Sequence, residues 1–248
     1  MGAPGTVVLI GAGGRMGRAL QGLLPEFPAL QLKAAVVPAG NQDRQAAGAA
    51  ALTTAALPAA LANAGLAIDF SSAAASAANL AACVAARVPL LLGTTGLPAS
   101  LEPELTAAAR HIPLLVAANT SLAVNLLLEL VSRAAAVLPD NFDIAIAESH
   151  HRDKRDAPSG TALALGAAAQ AGRAAAGRDG REIDYAVTRG GDIVGEHMVH
   201  FNGAGERLSL GHVATDRAIF ARGALAAGAW LARQAPGRYR MQDLFGKK

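Results

Sequence analysis

Residues 6–17 read T-V-V-L-I-G-A-G-G-R-M-G. Thr6–Ile10 is a short run without a charge, as expected of a strand buried on both faces. The glycines follow at once, and a helical pattern then continues through Leu20, Leu23 and Leu24. A strand, a glycine turn and a helix in that order make a receptor for a phosphate group. Glycine lets the backbone come close to the anion, and the helix N-terminus offers unpaired N–H groups with partial positive charge. The spacing is G-x-x-G-x-x-G, one residue off the commonest dinucleotide fingerprint. Alone, such a turn is read as easily as a tight strand-to-helix connection.

The surroundings favour the dinucleotide. Residues 34–37, 66–70, 89–92 and 113–117 are further apolar runs, separated by segments of helical length. This alternation predicts an α/β fold, a Rossmann-like parallel sheet with helices on both faces. Ligands of such sheets bind beyond the C-terminal ends of the strands. The residues expected there are Asp69-Phe70-Ser71-Ser72, Gly93-Thr94-Thr95-Gly96 and Ala117-Ala118-Asn119-Thr120-Ser121. Small and hydroxyl-bearing, they leave room for a nicotinamide ring and can hydrogen-bond its amide. About twenty residues past a glycine turn, an NAD-preferring chain usually carries an acid for the ribose. Here Val37-Pro38-Ala39 holds that place, with no acid before Asp43. Arg15 and Arg44 are candidates to attract a 2′-phosphate, so NADPH is expected to be accepted, with NADH still open.

Composition narrows the classes. The chain has 248 residues, of which 52% are hydrophobic and 17% charged, so it can bury a large core or two modest ones. A net charge of +3, no long basic run and 4% aromatic residues argue against nucleic acid as a partner. The single cysteine, Cys83, lies in an alanine-rich helical segment and reads as a small buried hydrophobe. The first residues lack the basic and long apolar regions of a signal peptide, and no apolar run has membrane-spanning length. A cytoplasmic protein with no membrane partner is expected.

The charges gather in one place, E-S-H-H-R-D-K-R-D-A-P-S-G-T-A-L, residues 148–163. Residues 143–148 alternate like a strand with one buried face and deliver His150 and His151 to its end. Neighbours on extended chain point to opposite sides, so one of the two histidines should face a site. Pro158 breaks the chain direction and Ser159 suits the N-cap of a helix over 161–171, which makes a second anion-receiving turn. Lys154 lies between the histidines and that turn; Asp153 and Arg155 read as solvated loop. The spacing misses the H-E-x-x-H zinc pattern and there is no cysteine cluster, so no metal is expected. An anion-receiving turn, one or two imidazoles and a cation suit a carboxylate-bearing substrate that must gain a proton. Strands over 185–188, 193–201 and 207–213, with a turn at Asn202-Gly203-Ala204-Gly205, predict a second, smaller α+β domain, and helix returns over 216–234.

The stretch E-S-H-H-R-D-K-R-D-A-P-S-G-T-A closely resembles the signature of the dihydrodipicolinate reductase family. V-V-L-I-G-A-G-G-R-M-G-R, G-T-T-G, A-N-T-S-L-A-V-N, R-G-G-D-I-V-G-E-H and Y-R-M-Q-D-L-F follow the family's order over nearly the whole chain. The resemblance implies a homotetramer of the diaminopimelate and lysine pathway that reduces a cyclic dicarboxylate, 4-hydroxy-tetrahydrodipicolinate, with NADH or NADPH. It implies a dinucleotide-binding domain of residues 1–121 and 216–248, and a substrate and tetramerisation domain of 122–215 with a mixed sheet. It places His150 as the acid/base residue and Lys154 as the family's proton-donor lysine, also beside substrate. His151, Ser159, Gly160 and Thr161 match substrate-carboxylate contacts. Gly11, Ala12, Gly13, Gly14, Arg15, Met16 and Gly17 match the pyrophosphate loop. Gly93, Thr94 and Thr95, with Ala117, Ala118, Asn119 and Thr120, match the nicotinamide surroundings, and Arg217 and Phe220 are weaker candidates. The chain departs from the family's pattern at Val37-Pro38, Ser72, Thr120 and Ala123, all on the cofactor side. Two other classes fit a glycine turn: a nicotinamide oxidoreductase for another small acid, and a non-catalytic NAD(P)H sensor. Neither needs two histidines, a lysine and P-S-G-T in this order.

Overall fold

The computed structural model describes residues 5–38, 51–178 and 181–246. The chain divides into two compact units, Met1–Ser121 with Phe220–Lys248, and Leu122–Ile219.

The first unit is built on strands β1 (Thr6–Ile10), β2 (Gln31–Val37), β3 (Ala51–Thr53), β4 (Leu66–Asp69), β5 (Leu90–Leu92) and β6 (Pro113–Val116), joined late in the chain by β11 (Gly237–Tyr239). All pair in parallel, in the order β3-β2-β1-β4-β5-β6-β11. The continuous apolar runs follow from burial on both faces. Val7 and Leu9 of β1 pack with Leu20 of helix α1 (Arg15–Leu23) and with Ala224 and Leu225 of α7 (Ala218–Leu231). Val8 and Ile10 face the other way, onto Leu61 of α2 (Leu57–Leu61), Leu80 and Cys83 of α3 (Ala73–Ala86) and Leu105 of α4 (Glu102–Ala108). Three residues suffice for β5 because each is a leucine with no exposure, and burying one contributes roughly 1.5–3 kcal/mol. Strand order reverses beside β1, so the glycine turn leaves the sheet at its topological switch point.

The second unit contains β7 (Asp143–His150), β8 (Asp184–Arg189), β9 (Gly195–Gly203) and β10 (Glu206–Ala214), in the order β10-β9-β7-β8. β7 runs parallel to β8 and antiparallel to β9, so the sheet is mixed. Helices α5 (Leu122–Val137) and α6 (Gly160–Ala175) cover one face, where Leu127, Val131, Leu165 and Ala169 meet Ile144, Ile146, Val199 and Phe201. The two helices approach closely: a Cβ on Gly172 would lie 2.0 Å from the Ser132 carbonyl oxygen.

Several expectations are corrected. The turn placed at 202–205 is tighter, because pairing continues through Gly203 and Glu206 and leaves only Ala204 and Gly205 outside the ladder. The strand expected from 193 begins at Gly195, and the helix expected over 161–171 runs from Gly160 to Ala175. The edge strands β3 and β11 were not anticipated, since three residues carry too little alternation to read. Among the described residues, no helix is long and apolar enough to cross a membrane.

Candidate active site

In the first unit the glycine turn is fixed by close packing. Gly11 has φ +81°, and a Cβ there would lie 2.6 Å from the Phe70 carbonyl oxygen. A Cβ on Gly17 would lie 2.4 Å from the Gly11 carbonyl oxygen, so helix and turn touch backbone to backbone. Gly11 and Ala12 both donate their N–H to the Val36 carbonyl, at 3.0 and 3.1 Å. Ala12 and Gly13 are buried, whereas Gly14 and Arg15 are exposed and Met16 is half-buried. Among the described residues no side chain caps α1, and its first turn carries no acid. A nine-residue helix whose exposed N-terminus is uncapped and glycine-lined fits a pyrophosphate.

Asp69 organises the next two strand ends. Its carboxylate accepts from the Ser71 N–H at 2.8 Å and from Asn79 Nδ2 at 2.9 Å, with Thr94 Oγ1 more distant at 3.5 Å. Burial pushes the Asp69 carboxyl up, against these hydrogen bonds. Gly93 gives way to the Phe70 ring, which a Cβ would meet at 2.3 Å. Thr95 and Ala118 are exposed, while Ala117 and Thr94 are buried. Asn119 Oδ1 accepts from the Ser121 N–H at 2.9 Å, and Thr120 donates its hydroxyl to the Phe220 carbonyl at 2.6 Å. Thr120 thus spends its hydroxyl on holding the loop to the start of α7. Arg217 is exposed and Phe220 half-buried. Val37 is buried and Pro38 exposed at the end of β2; Ala39, Asp43 and Arg44 lie outside the described residues.

In the second unit, register assembles the polar cluster. Glu148 stands opposite His197 across β7 and β9, and His150 stands beside Arg189 across β7 and β8. Alternation puts Glu148 and His150 on the helix-covered face with Ile144 and Ile146. Glu148 Oε1 accepts from Arg189 Nη2 at 2.8 Å and from the Ser159 N–H at 3.1 Å, while Oε2 pairs with His150 Nδ1. Burial opposes the charge on Glu148, yet the Arg189 hydrogen bond, the Ser159 N–H and the His150 contact hold its carboxyl below the usual range. Burial lowers the pKa of His150; Glu148 opposes that shift, whereas Lys154 and Arg189 add to it. The His197 ring meets that of His150 edge-on with centroids 5.0 Å apart. Burial first, then His150, pulls His197 down to about 4, so it is neutral at physiological pH.

Ser159 caps α6: its Oγ accepts from the Ala162 N–H at 3.2 Å and lies 3.1 Å from His197 Nε2. Gly160 is exposed, and a Cβ there would meet nothing within 4 Å, so the start of α6 opens outward. Thr161 and His151 are half-buried. Lys154 Nζ pairs with Asp156 Oδ2 at 2.8 Å, and Asp153 and Arg155 are exposed. Arg189 ties the loop down by donating to the Lys154 carbonyl at 3.2 Å and the Asp156 carbonyl at 2.6 Å.

His150, Lys154 and the Ser159 turn are therefore brought into one loop system. Glu148, Arg189 and His197 were not singled out from sequence. The alternation of residues 143–150 was the available signal for Glu148, which shares a face with His150. Glu148, His150 and His197 also offer ligand-type atoms within 4.8 Å of one another. Glu148 is already committed to three partners, and Arg189 and Lys154 supply positive charge beside it. The trio reads better as a charge-paired cluster than as a cation site.

Two family models match the chain: "Dihydrodipicolinate reductase, N-terminus" over residues 6–120 and "Dihydrodipicolinate reductase, C-terminus" over 123–245. A 4-hydroxy-tetrahydrodipicolinate reductase of Stenotrophomonas maltophilia (strain R551-3) is 49% identical over 242 residues, covering 97% of this chain and 98% of the relative. One from Zymomonas mobilis is 43% identical over 252 residues, covering 96% of each. Among solved structures, a dipicolinate-bound dihydrodipicolinate reductase from Paenisporosarcina sp. TG-14 shares the fold, with a TM-score of 0.80, 19% identity and coverage of 96% of this chain and 98% of that one.

Proposed function

The chain belongs to the dihydrodipicolinate reductase family, and from that premise we propose how its residues carry the family's reaction. The protein reduces 4-hydroxy-tetrahydrodipicolinate to tetrahydrodipicolinate, with loss of water, on the route to diaminopimelate and lysine. NAD(P)H supplies the hydride when bound. The turn from Gly11 to Gly17 and the start of α1 hold its pyrophosphate. Gly93 to Thr95 and Ala117 to Asn119 line the nicotinamide side, and Thr120 holds that loop in place.

The substrate is a dianion, so the second unit must bind carboxylate and deliver a proton. The N–H groups of Gly160 and Thr161 receive one carboxylate, with Ser159 fixing the turn and His151 at its side. Lys154 exchanges Asp156 for the substrate's negative charge. His150 delivers the proton from Nε2 to the ring atom that gains electron density, because Nδ1 is already committed to Glu148. The observation that carries this reading is the buried Glu148–His150 pair joined through Glu148 to the Ser159 N–H.

A homotetramer belongs to the same reading. Ala145, Ala147, Ser149 and Met198 alternate onto the sheet face that α5 and α6 leave uncovered, and Val213 there is 58% exposed. Such a face of small side chains, with Glu196 and His200 among the apolar ones, suits burial against another copy through mixed polar and apolar contacts, and light scattering should return four chains.

The testing experiment is a coupled assay. The condensation product of pyruvate and aspartate semialdehyde is supplied, and NADH and NADPH oxidation are followed separately. Turnover with at least one coenzyme is expected, and the ratio reports the consequence of Val37-Pro38 at the end of β2. A protein that binds NAD(P)H and oxidises neither coenzyme would be a sensor, and the reading would fall.

A further inference from the structure

We infer that Glu148 is a positioning residue that couples the proton donor to the carboxylate-receiving turn, by fixing the tautomer of His150 with one oxygen and the backbone of Ser159 with the other. The inference rests on the assignment of His150 as proton donor, and it adds a residue two places earlier on the same strand.

Four observations support it. The Glu148 side chain has no solvent exposure, and each oxygen has a distinct task. Oε2 meets His150 Nδ1, while Oε1 takes the Ser159 N–H at 3.1 Å and Arg189 Nη2 at 2.8 Å. A carboxylate oxygen in close contact repels a nitrogen lone pair, so the nitrogen facing it must carry the hydrogen. This leaves Nε2 as the nitrogen that gains and loses the working proton. Gly195 lies beside that nitrogen without a side chain; a Cβ there would sit 3.0 Å from Nε2. Finally, Ser159 is held twice, by Glu148 at its N–H and by the neutral His197 at its hydroxyl. The groups facing His150 are Glu148 on its own strand, Arg189 on β8, His197 on β9 and Lys154 on the loop. Of these, only Glu148 is negative, so it alone favours the imidazolium.

An amide in place of the carboxylate tests the point with little change of shape. In Glu148→Gln, the amide oxygen can still accept from Arg189 and Ser159, and the NH₂ then faces His150 Nδ1. That donor forces Nδ1 to accept, so neutral His150 carries its hydrogen on Nε2 and resists a second proton on Nδ1. Loss of the negative charge also lowers the His150 pKa. A general acid works only while protonated, so the pH above which kcat falls should move down in the variant.

The experiment is histidine-edited ¹⁵N–¹H NMR of the wild-type and Glu148→Gln proteins, with pH–rate profiles of wild type, Glu148→Gln and His150→Gln. Wild-type His150 is expected as the Nδ1–H tautomer when neutral. Glu148→Gln should lower kcat by at least about tenfold, with a smaller change in KM and an acid-shifted profile. An Nε2–H tautomer in the wild type would overturn the inference without needing the variant to fold. So would a folded Glu148→Gln protein that keeps the wild-type profile while His150→Gln is slowed. If the tautomer switches as expected but neither Glu148→Gln nor His150→Gln slows turnover, the positioning stands and the proton-donor assignment is what fails.

Discussion

The division of labour at the residue scale separates His150 from Lys154. His150 is 8% exposed and held by a buried carboxylate, so its orientation is set before substrate arrives. His150→Gln removes the proposed proton donor and leaves the Ser159 turn intact. We expect kcat to fall about a hundredfold or more, with a smaller change in KM, since general acid catalysis contributes on that scale. An unchanged kcat in steady-state assays would remove His150 from the role. Lys154 differs: its partner Asp156 is 57% exposed, and such a surface pair contributes little on its own. Its positive charge is therefore available to a carboxylate. Lys154→Ala should raise KM and lower kcat together, because charge next to a dianion acts in binding and as negative charge builds up. If both constants stay put, Lys154 belongs with Arg152 and Arg155 on the solvated surface.

At the scale of elements, α5 shows a helix end completed from a distance. Its last turn carries no basic residue, yet Arg178, just past the end of α6, donates to the carbonyls of Ala135, Ala136 and Leu138. A cation on the otherwise unpaired carbonyls of a C-terminus satisfies them and complements the helix dipole. Arg178→Ala should cost about 1–3 kcal/mol. Thermal unfolding should register that loss while kcat/KM stays at the wild-type level; an unchanged melting curve would mean that water replaces the guanidinium at no cost. Arg178 also shows why some of the fold was legible in sequence and some was not. β1 and its glycine turn could be read because strand, turn and helix are adjacent and their packing is local. β3 and β11 could not, because three residues at a sheet edge are defined by the strand they join. Within the candidate site, His150, Lys154 and the Ser159 turn announced themselves by chemistry within twelve residues. Glu148 lies two residues ahead of that stretch and looks like any strand-end acid until its partners are known. His197 becomes its neighbour only through the antiparallel register of β7 and β9.

For the molecule as a whole, the two units answer acid in opposite directions. In the second unit, His197 falls from the ordinary 6.5 to about 4, and burial lowers His150 and His212 as well. A lowered folded-state pKa means the unfolded chain takes up the proton first. The stability these groups contribute is full above about 6.5 and declines as pH drops toward 4, on the order of 3 kcal/mol for His197 alone. Glu148, held below the usual 4.5, adds a further loss at still lower pH. In the first unit the buried Asp69 is raised above 3.8, which has the reverse sign. Its contribution is full below 3.8 and lost as pH rises through the folded value, so acid relieves that unit's buried carboxylate. Mild acid should therefore weaken the mixed sheet of the second unit before the parallel sheet of the first. Urea unfolding at about pH 7.5 and about pH 5 separates the two, since hydrogen exchange follows β7 to β10 once corrected for intrinsic rates. The only tryptophan, Trp230, lies in α7 within the first unit and reports it by fluorescence. The midpoint for exchange in the second unit should drop between the two pH values while the Trp230 midpoint moves less. A larger drop at Trp230 would mean that the buried imidazoles of the β7–β9 cluster do not govern acid stability, and that the cost of burying Asp69 is met elsewhere in the first unit.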